Sequence, residues 1–176
     1  IAVIGSTGSG KSTLINLIPR YYDVTKGSVK VDGVDVRDMT QKELRDKLGY
    51  VPQKGVLFSG TIDSNIRYGK PEITDAQVKE AAEVAQATEF IDTKPEKYES
   101  PVSQGGTNVS GGQKQRLSIA RAIAKDPEIF IFDDSFSALD FKTDSQLRKA
   151  LKEYTQDATT VIVAQRISTI LGADQI

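Results

Sequence analysis

The chain has no cysteine and no histidine. Without cysteine there is no disulfide framework and no thiolate chemistry, which is compatible with a reducing cytosol. Without histidine there is no imidazole that could become cationic or move a proton near neutral pH. Charge of either sign in excess is also lacking, since 23 basic residues stand against 24 acidic ones for a formal net charge of −1. Composition therefore points to no nucleic-acid partner and no anionic membrane surface, and any phosphate binding must be local. There is no run of about 18 apolar residues and no signal-peptide pattern, so the segment is expected to be soluble by itself. With 176 residues it can bury one good core. It starts inside an apolar run and stops at Gly172-Ala173-Asp174-Gln175-Ile176 without a closing element, and is expected to be a piece of something longer.

What is present is organised around Gly5-Ser6-Thr7-Gly8-Ser9-Gly10-Lys11-Ser12, directly after Ile1-Ala2-Val3-Ile4. The stretch fits the phosphate-binding pattern G-x-x-x-x-G-K-[ST]. Glycines at these places let the loop wrap a polyphosphate so that backbone N–H groups and the positive end of the next helix face oxygen atoms. Lys11 would bridge the outer phosphates, Ser12 would put its hydroxyl on a magnesium ion, and Thr13 lies close enough to donate to an inner phosphate. Leu14, Ile15, Leu17 and Ile18 predict a helix after the loop, ending at Pro19.

Further on, Ser28-Val29-Lys30-Val31 reads as a half-exposed strand and Asp32-Gly33 as a hairpin turn before Val34-Asp35-Val36. Thr40 with Glu43 is a capping box for a short helix through Lys47. Leu48-Gly49-Tyr50-Val51 is a strand stopped by Pro52, with Gln53 at its carboxyl end, where open parallel sheets place ligand contacts. Over residues 55–109 strand patterning disappears, and Thr74 with Gln77 opens an alanine-rich helix expected to reach Ala87. This predicts a helical subdomain over residues 55–118, inserted into a core of residues 1–54 and 119–176. Ser110-Gly111-Gly112-Gln113 opens a helix to about Ala124. Ile129-Phe130-Ile131-Phe132 ends in Asp133-Asp134, Leu147, Ala150, Leu151 and Tyr154 mark an amphipathic helix, and Thr160-Val161-Ile162-Val163 is a buried strand. Strands alternating with helices predict an α/β fold with a largely parallel sheet.

A phosphate loop alone leaves kinases, GTPases and motor ATPases open. Four apolar residues followed by Asp133 describe a buried strand that delivers a carboxylate beside the loop, where it can hold magnesium through its water shell. Ser110-Gly111-Gly112-Gln113 adds a second anion-binding helix start to the same chain. One nucleotide does not need two such sites. Two domains facing head to tail, each offering its Ser-Gly-Gly-Gln to the γ-phosphate held in the other's loop, would use both.

With these motifs in order, the chain resembles the nucleotide-binding domain of an ABC transporter over nearly its whole length. Gly5, Ser6, Thr7, Gly8, Ser9, Gly10, Lys11, Ser12 and Thr13 match the Walker A loop, and Gln53 the Q-loop glutamine. Val109-Ser110-Gly111-Gly112-Gln113 matches the signature, with valine for the usual leucine. Ile129 to Asp133 corresponds to Walker B, Ser137-Ala138-Leu139-Asp140 to the D-loop, and Ala164-Gln165-Arg166 to the H-loop position. Val56-Leu57-Phe58-Ser59-Gly60-Thr61-Ile62 and Asn65-Ile66-Arg67-Tyr68-Gly69 resemble the exporter branch. The resemblance implies a RecA-like P-loop NTPase core, an N-terminal antiparallel part lying upstream together with the adenine-stacking aromatic, and ATP with Mg²⁺ as cofactors. It implies a magnesium site at Ser12, Gln53 and Asp133, a second ABC domain as partner, and membrane-spanning domains fused upstream. Nucleic acid is not an implied partner, and the implied location is the cytoplasmic face of the cell membrane.

Three departures stand out. Asp134 occupies the place of the family's water-polarising glutamate, one methylene shorter, which sets the carboxylate about 1 Å back; misplacement of that order can cost about 10²-fold. Gln165 replaces the family's histidine, and Pro101-Val102-Ser103-Gln104-Gly105-Gly106 replaces the exporter's glutamate-arginine pair. Asp134, Gln165 and Gln53 are thus the catalytic candidates of a weakened site, while the signature is intact. That split resembles one half of a heterodimeric multidrug-type exporter. Alternatives are a regulatory ATP-binding module with little hydrolysis and a soluble ABC ATPase outside transport. For Tyr21-Tyr22, packing at a helix end is expected; for Lys114 and Arg116, solvation or local pairing; for Asp140, either a partner contact or a helix N-cap.

Overall fold

A computed structural model describes residues 1–176, the side chain of Ser168 excepted. In chain order the elements are β1 Ala2–Ile4, α1 Lys11–Ile15, β2 Lys30–Val31, β3 Val34–Asp35, α2 Gln41–Asp46, β4 Leu48–Val51, β5 Gly60–Thr61, α3 Ile62–Ile66, α4 Asp75–Val84 and α5 Thr88–Asp92. They continue with β6 Pro101–Val102, α6 Gly111–Ala124, β7 Ile129–Asp133, α7 Phe141–Tyr154, β8 Thr159–Ala164 and α8 Ile167–Ile170. Three short 3-10 turns, Val36–Asp38, Lys97–Glu99 and Gln104–Gly106, lie between them. The α/β class with a parallel sheet is as expected.

The chain forms two compact units. The first comprises Ile1–Tyr50, Pro127–Asp134 and Ala158–Ile176. Its sheet has the order β1-β8-β7-β4, with β1 and β7 both parallel to β8. The near-continuous apolar runs of β7 and β8 are what a strand covered on both faces requires. Ile15, Ile131, Val161 and Val163 form one buried cluster and Val31, Val36, Leu44 and Leu48 another. The Asp32-Gly33 turn joins antiparallel β2 and β3 with both residues at positive φ, 52° and 81°, as a type I′ hairpin needs.

The second unit comprises Val51–Asp126 and Ser135–Asp157. Here α6 packs against α3 and α4, and Leu117, Ile119 and Ile123 are buried with Ile62, Ile66 and Val78. Arg121, partly buried, donates to the carbonyls of Asn65 (2.8 Å) and Val56 (2.9 Å) and to Asn65 Oδ1 (2.9 Å). Burial lowers its pKa to about 10, which leaves it charged.

Three local expectations are corrected. The first helix ends at Ile15 and not at Pro19, and the chain goes on in i→i+3 turns such as Ile18 N–H to the Ile15 carbonyl at 3.1 Å. Pro19 has no N–H for that carbonyl and disfavours helical backbone at Ile18. The helix expected to reach Ala87 stops at Val84, and Gln86 at φ 56° separates it from α5. Residues 55–109 do contain strand: β5 pairs antiparallel with β6, two residues each, too short to show a period of two.

Ile131 is fully buried in the middle of β7. Ile131→Ala is expected to lower unfolding free energy by about 2–5 kcal/mol, measured by urea denaturation.

Candidate functional site

Register builds the first part of the site. Ile4 lies opposite Ala164 and Asp133 opposite Val163, so β1, β7 and β8 end level at their carboxyl edge. The residues that follow are Gly5, Asp134 and Gln165. The loop of residues 5–10 turns through Gly8 at φ 78° and Gly10 at φ 91°, backbone that L side chains rarely adopt. A Cβ on Gly5 would lie 2.7 Å from Ser9 Oγ. Lys11 folds back over the loop: its Nζ donates to the carbonyls of Gly5 (2.8 Å) and Ser6 (2.7 Å) and, more weakly, to Ser9 Oγ (3.5 Å). Ser6, Thr7, Gly8, Ser9, Gly10, Ser12 and Thr13 are all exposed.

Ser12 Oγ donates to Asp133 Oδ1 at 2.9 Å, which closes a sequence separation of 121 residues. Asp133 is buried, at 7% exposure, so its carboxylate depends on such donors. Tyr50, in β4, donates from its hydroxyl to Asn16 Oδ1 (3.0 Å) and to Asp133 Oδ2 (3.4 Å). Burial, and then the charge of Asp133, push the Tyr50 phenol well above its ordinary pKa, so it stays a donor. Asp134 sits at φ 47° with its N–H on the Val163 carbonyl at 2.9 Å. Gln165 Nε2 donates to Asp134 Oδ2 at 3.1 Å, so the two departures from the family pattern touch each other.

The remaining candidates belong to the second unit. Ser110 caps α6: its Oγ accepts from Gln113 N–H (3.2 Å) and Gln113 Oε1 accepts from Ser110 N–H (3.1 Å). That reciprocal cap was legible as S-x-x-Q. A Cβ on Gly111 would meet nothing within 4 Å, and one on Gly112 would lie 3.6 Å from the Ala138 carbonyl. Gln53 is exposed just past β4. Its loop is clamped by a residue that motif reading missed. Gln115, buried at 1% exposure, donates to the Pro52 carbonyl (3.1 Å) and accepts from Gly55 N–H (2.8 Å). Gly55 has no room for a side chain, since a Cβ would stand 2.9 Å from the Lys114 carbonyl. A polar residue recurring among the buried positions of α6 was the available signal.

The stretch of residues 101–106 pairs with β5 through β6, and Gly105 N–H donates to the Leu57 carbonyl at 3.0 Å. Ser103 N–H and Oγ both donate to Asn108 Oδ1 at 3.0 Å, and Asn108 Nδ2 donates to the Pro101 carbonyl at 2.8 Å. Asp140 is an N-cap, accepting from Thr143 N–H at 3.0 Å, and these bonds hold its carboxyl below the ordinary range. Arg116 is locally engaged, donating to the Gln86 carbonyl at 2.7 Å and lying 4.7 Å from the Phe90 ring centroid. Tyr21 meets Tyr50 edge-on with centroids 5.8 Å apart, and both Tyr21 and Tyr22 are exposed.

Residues 1–137 match the family described as ABC transporter. An uncharacterized ABC transporter ATP-binding protein of Mycobacterium bovis is 50% identical over 178 residues, covering 99% of this chain and 30% of that protein. A Staphylococcus aureus protein named for multidrug export, an ATP-binding/permease protein, is 48% identical over 176 residues, covering 100% of this chain and 30% of its own length. Among solved structures, a bacterial Atm1-family ABC exporter with ATP bound superposes with a TM-score of 0.94 at 40% identity, covering 98% of this chain and 30% of that one. The chain therefore belongs to the ABC transporter family, as an ATP-binding domain of it. It spans about three tenths of the length of these relatives.

Gln115→Leu leaves the Pro52 carbonyl and Gly55 N–H without their partner. It is expected to cost about 1–3 kcal/mol and to speed hydrogen exchange at the Gly55 amide well beyond any change at the amides of β7, followed by two-dimensional NMR.

Proposed function

We propose that this chain is the ATP-binding domain of an exporter fused to membrane-spanning domains, at the cytoplasmic face of the membrane, where nucleotide-driven closure with a second ABC domain powers transport. The observation that carries the nucleotide part is the cradle of residues 5–12 with Ser12 bonded to Asp133. The residues fit the implied ligands. Gly8 and Gly10, both at positive φ, let the loop turn as a phosphate cradle needs. One hydroxyl and one carboxylate form the sparse oxygen set that magnesium takes when phosphate and water fill its other positions. The exporter part rests on the relatives' printed descriptions.

In this reading magnesium with ATP supplies charge neutralisation across the outer phosphates. Lys11 releases the Gly5 and Ser6 carbonyls and turns its ammonium outward. Asp134 orients the attacking water, and Gln165 holds one of its two oxygens through a neutral amide. An amide donates a hydrogen bond but carries no charge and shuttles no proton. The short carboxylate and this amide together give a slow site. Ser110, Gly111, Gly112 and Gln113 are offered to the partner's ATP. Gly111 supports this: a Cβ there would meet nothing within 4 Å, so its own unit gives no steric reason for a glycine. A non-identical partner that retains glutamate and histidine would then carry the faster site.

The test is ATP turnover by the wild-type chain and by the double variant Asp134→Glu, Gln165→His. Turnover should rise by roughly tenfold or more in the double variant. A wild-type rate that the double variant does not raise overturns the weakened-site reading.

A further inference from the structure

We propose that Tyr50 is a positioning residue for the Asp133 carboxylate, and that its hydroxyl sets how tightly the nucleotide site takes a divalent cation. The inference rests on the ATP-binding reading above. Asp133 has two oxygens and is buried at 7% exposure. Ser12 Oγ supplies Oδ1 at 2.9 Å and the Tyr50 hydroxyl supplies Oδ2 at 3.4 Å. These donors differ in kind. Ser12 is itself assigned to the cation, so its hydroxyl has two tasks. Tyr50 is not assigned to the cation, and its hold on the carboxylate does not depend on where Ser12 points. A carboxylate fixed through both oxygens presents one orientation, whereas one fixed through a single oxygen can rotate about its Cβ–Cγ bond.

The phenol is placed by its surroundings. Tyr50 packs against the cluster of Ile15, Ile131, Val161 and Val163. Tyr21 meets its ring edge-on at an interplanar angle of 72°, and the Arg45 guanidinium lies 5.3 Å from the Tyr21 centroid. Its single proton is shared between Asn16 Oδ1 at 3.0 Å and Asp133 Oδ2 at 3.4 Å. Asn16 is therefore a competitor for the donor. Removing its amide directs the proton to Asp133, and removing the hydroxyl deprives both.

The experiment is equilibrium binding of a fluorescent ATP analogue to the wild-type chain, Tyr50→Phe and Asn16→Ala, with magnesium titrated and again in excess EDTA. Tyr50→Phe keeps the ring and its packing. The expected result is a half-saturating magnesium concentration raised roughly tenfold in Tyr50→Phe, the worth of one hydrogen bond to a charged group. Affinity in EDTA should stay within about twofold of wild type, and Asn16→Ala should not raise the magnesium requirement. A wild-type magnesium requirement in Tyr50→Phe, equal losses with and without magnesium, or equal rises in both variants would each overturn the inference. A wild-type chain that binds no nucleotide would instead overturn the reading on which it rests.

Discussion

Parallel registration of three short strands is the constraint on which the nucleotide site depends. β1 and β7 flank β8 and end within one residue of each other along it, Ile4 opposite Ala164 and Asp133 opposite Val163. Three loops from distant parts of the chain therefore leave the sheet at one edge. A single-residue slip of β7 would turn Asp133 to the other face of the sheet and break its bond with Ser12. The apolar composition of β7 and β8 enforces the register, because Ile131, Val161 and Val163 are buried in a shared cluster. Chemistry at the edge is thus supported by burial behind it.

The same edge carries the departures from the family pattern, and they are mutually fitted. Asp134 occupies left-handed backbone at φ 47°, a conformation in which aspartate is enriched relative to most side chains. Its shorter carboxylate meets a neutral amide from Gln165 at 3.1 Å. That amide donates a hydrogen bond but carries no charge. The signature helix opens on a reciprocal cap made by its own Ser110 and Gln113.

Much of this was legible in the sequence because it lies in local patterns. The glycine-rich loop, the capping boxes at Thr40 and Thr74, the Asp32-Gly33 hairpin and the apolar runs ending at Asp133 are each set by a few adjacent residues, and the structure has all of them. What escaped depends on distant partners. Gln115 reads as one more polar residue of a helix until Pro52 and Gly55 are folded against it. Tyr50 reads as a strand aromatic until Asp133 arrives 83 positions later. The early end of the first helix turned on Pro19 acting on backbone four residues before it, and β5 and β6 were too short to show periodicity.

The central claim is that this chain grips ATP in a cradle whose own chemistry is slow. Its most direct measurement is the identity of the nucleotide retained after the chain is incubated with Mg-ATP, freed of unbound nucleotide and denatured. Recovery of bound nucleotide mainly as ATP is the predicted result. Recovery mainly as ADP, or of no nucleotide at all, would contradict the account.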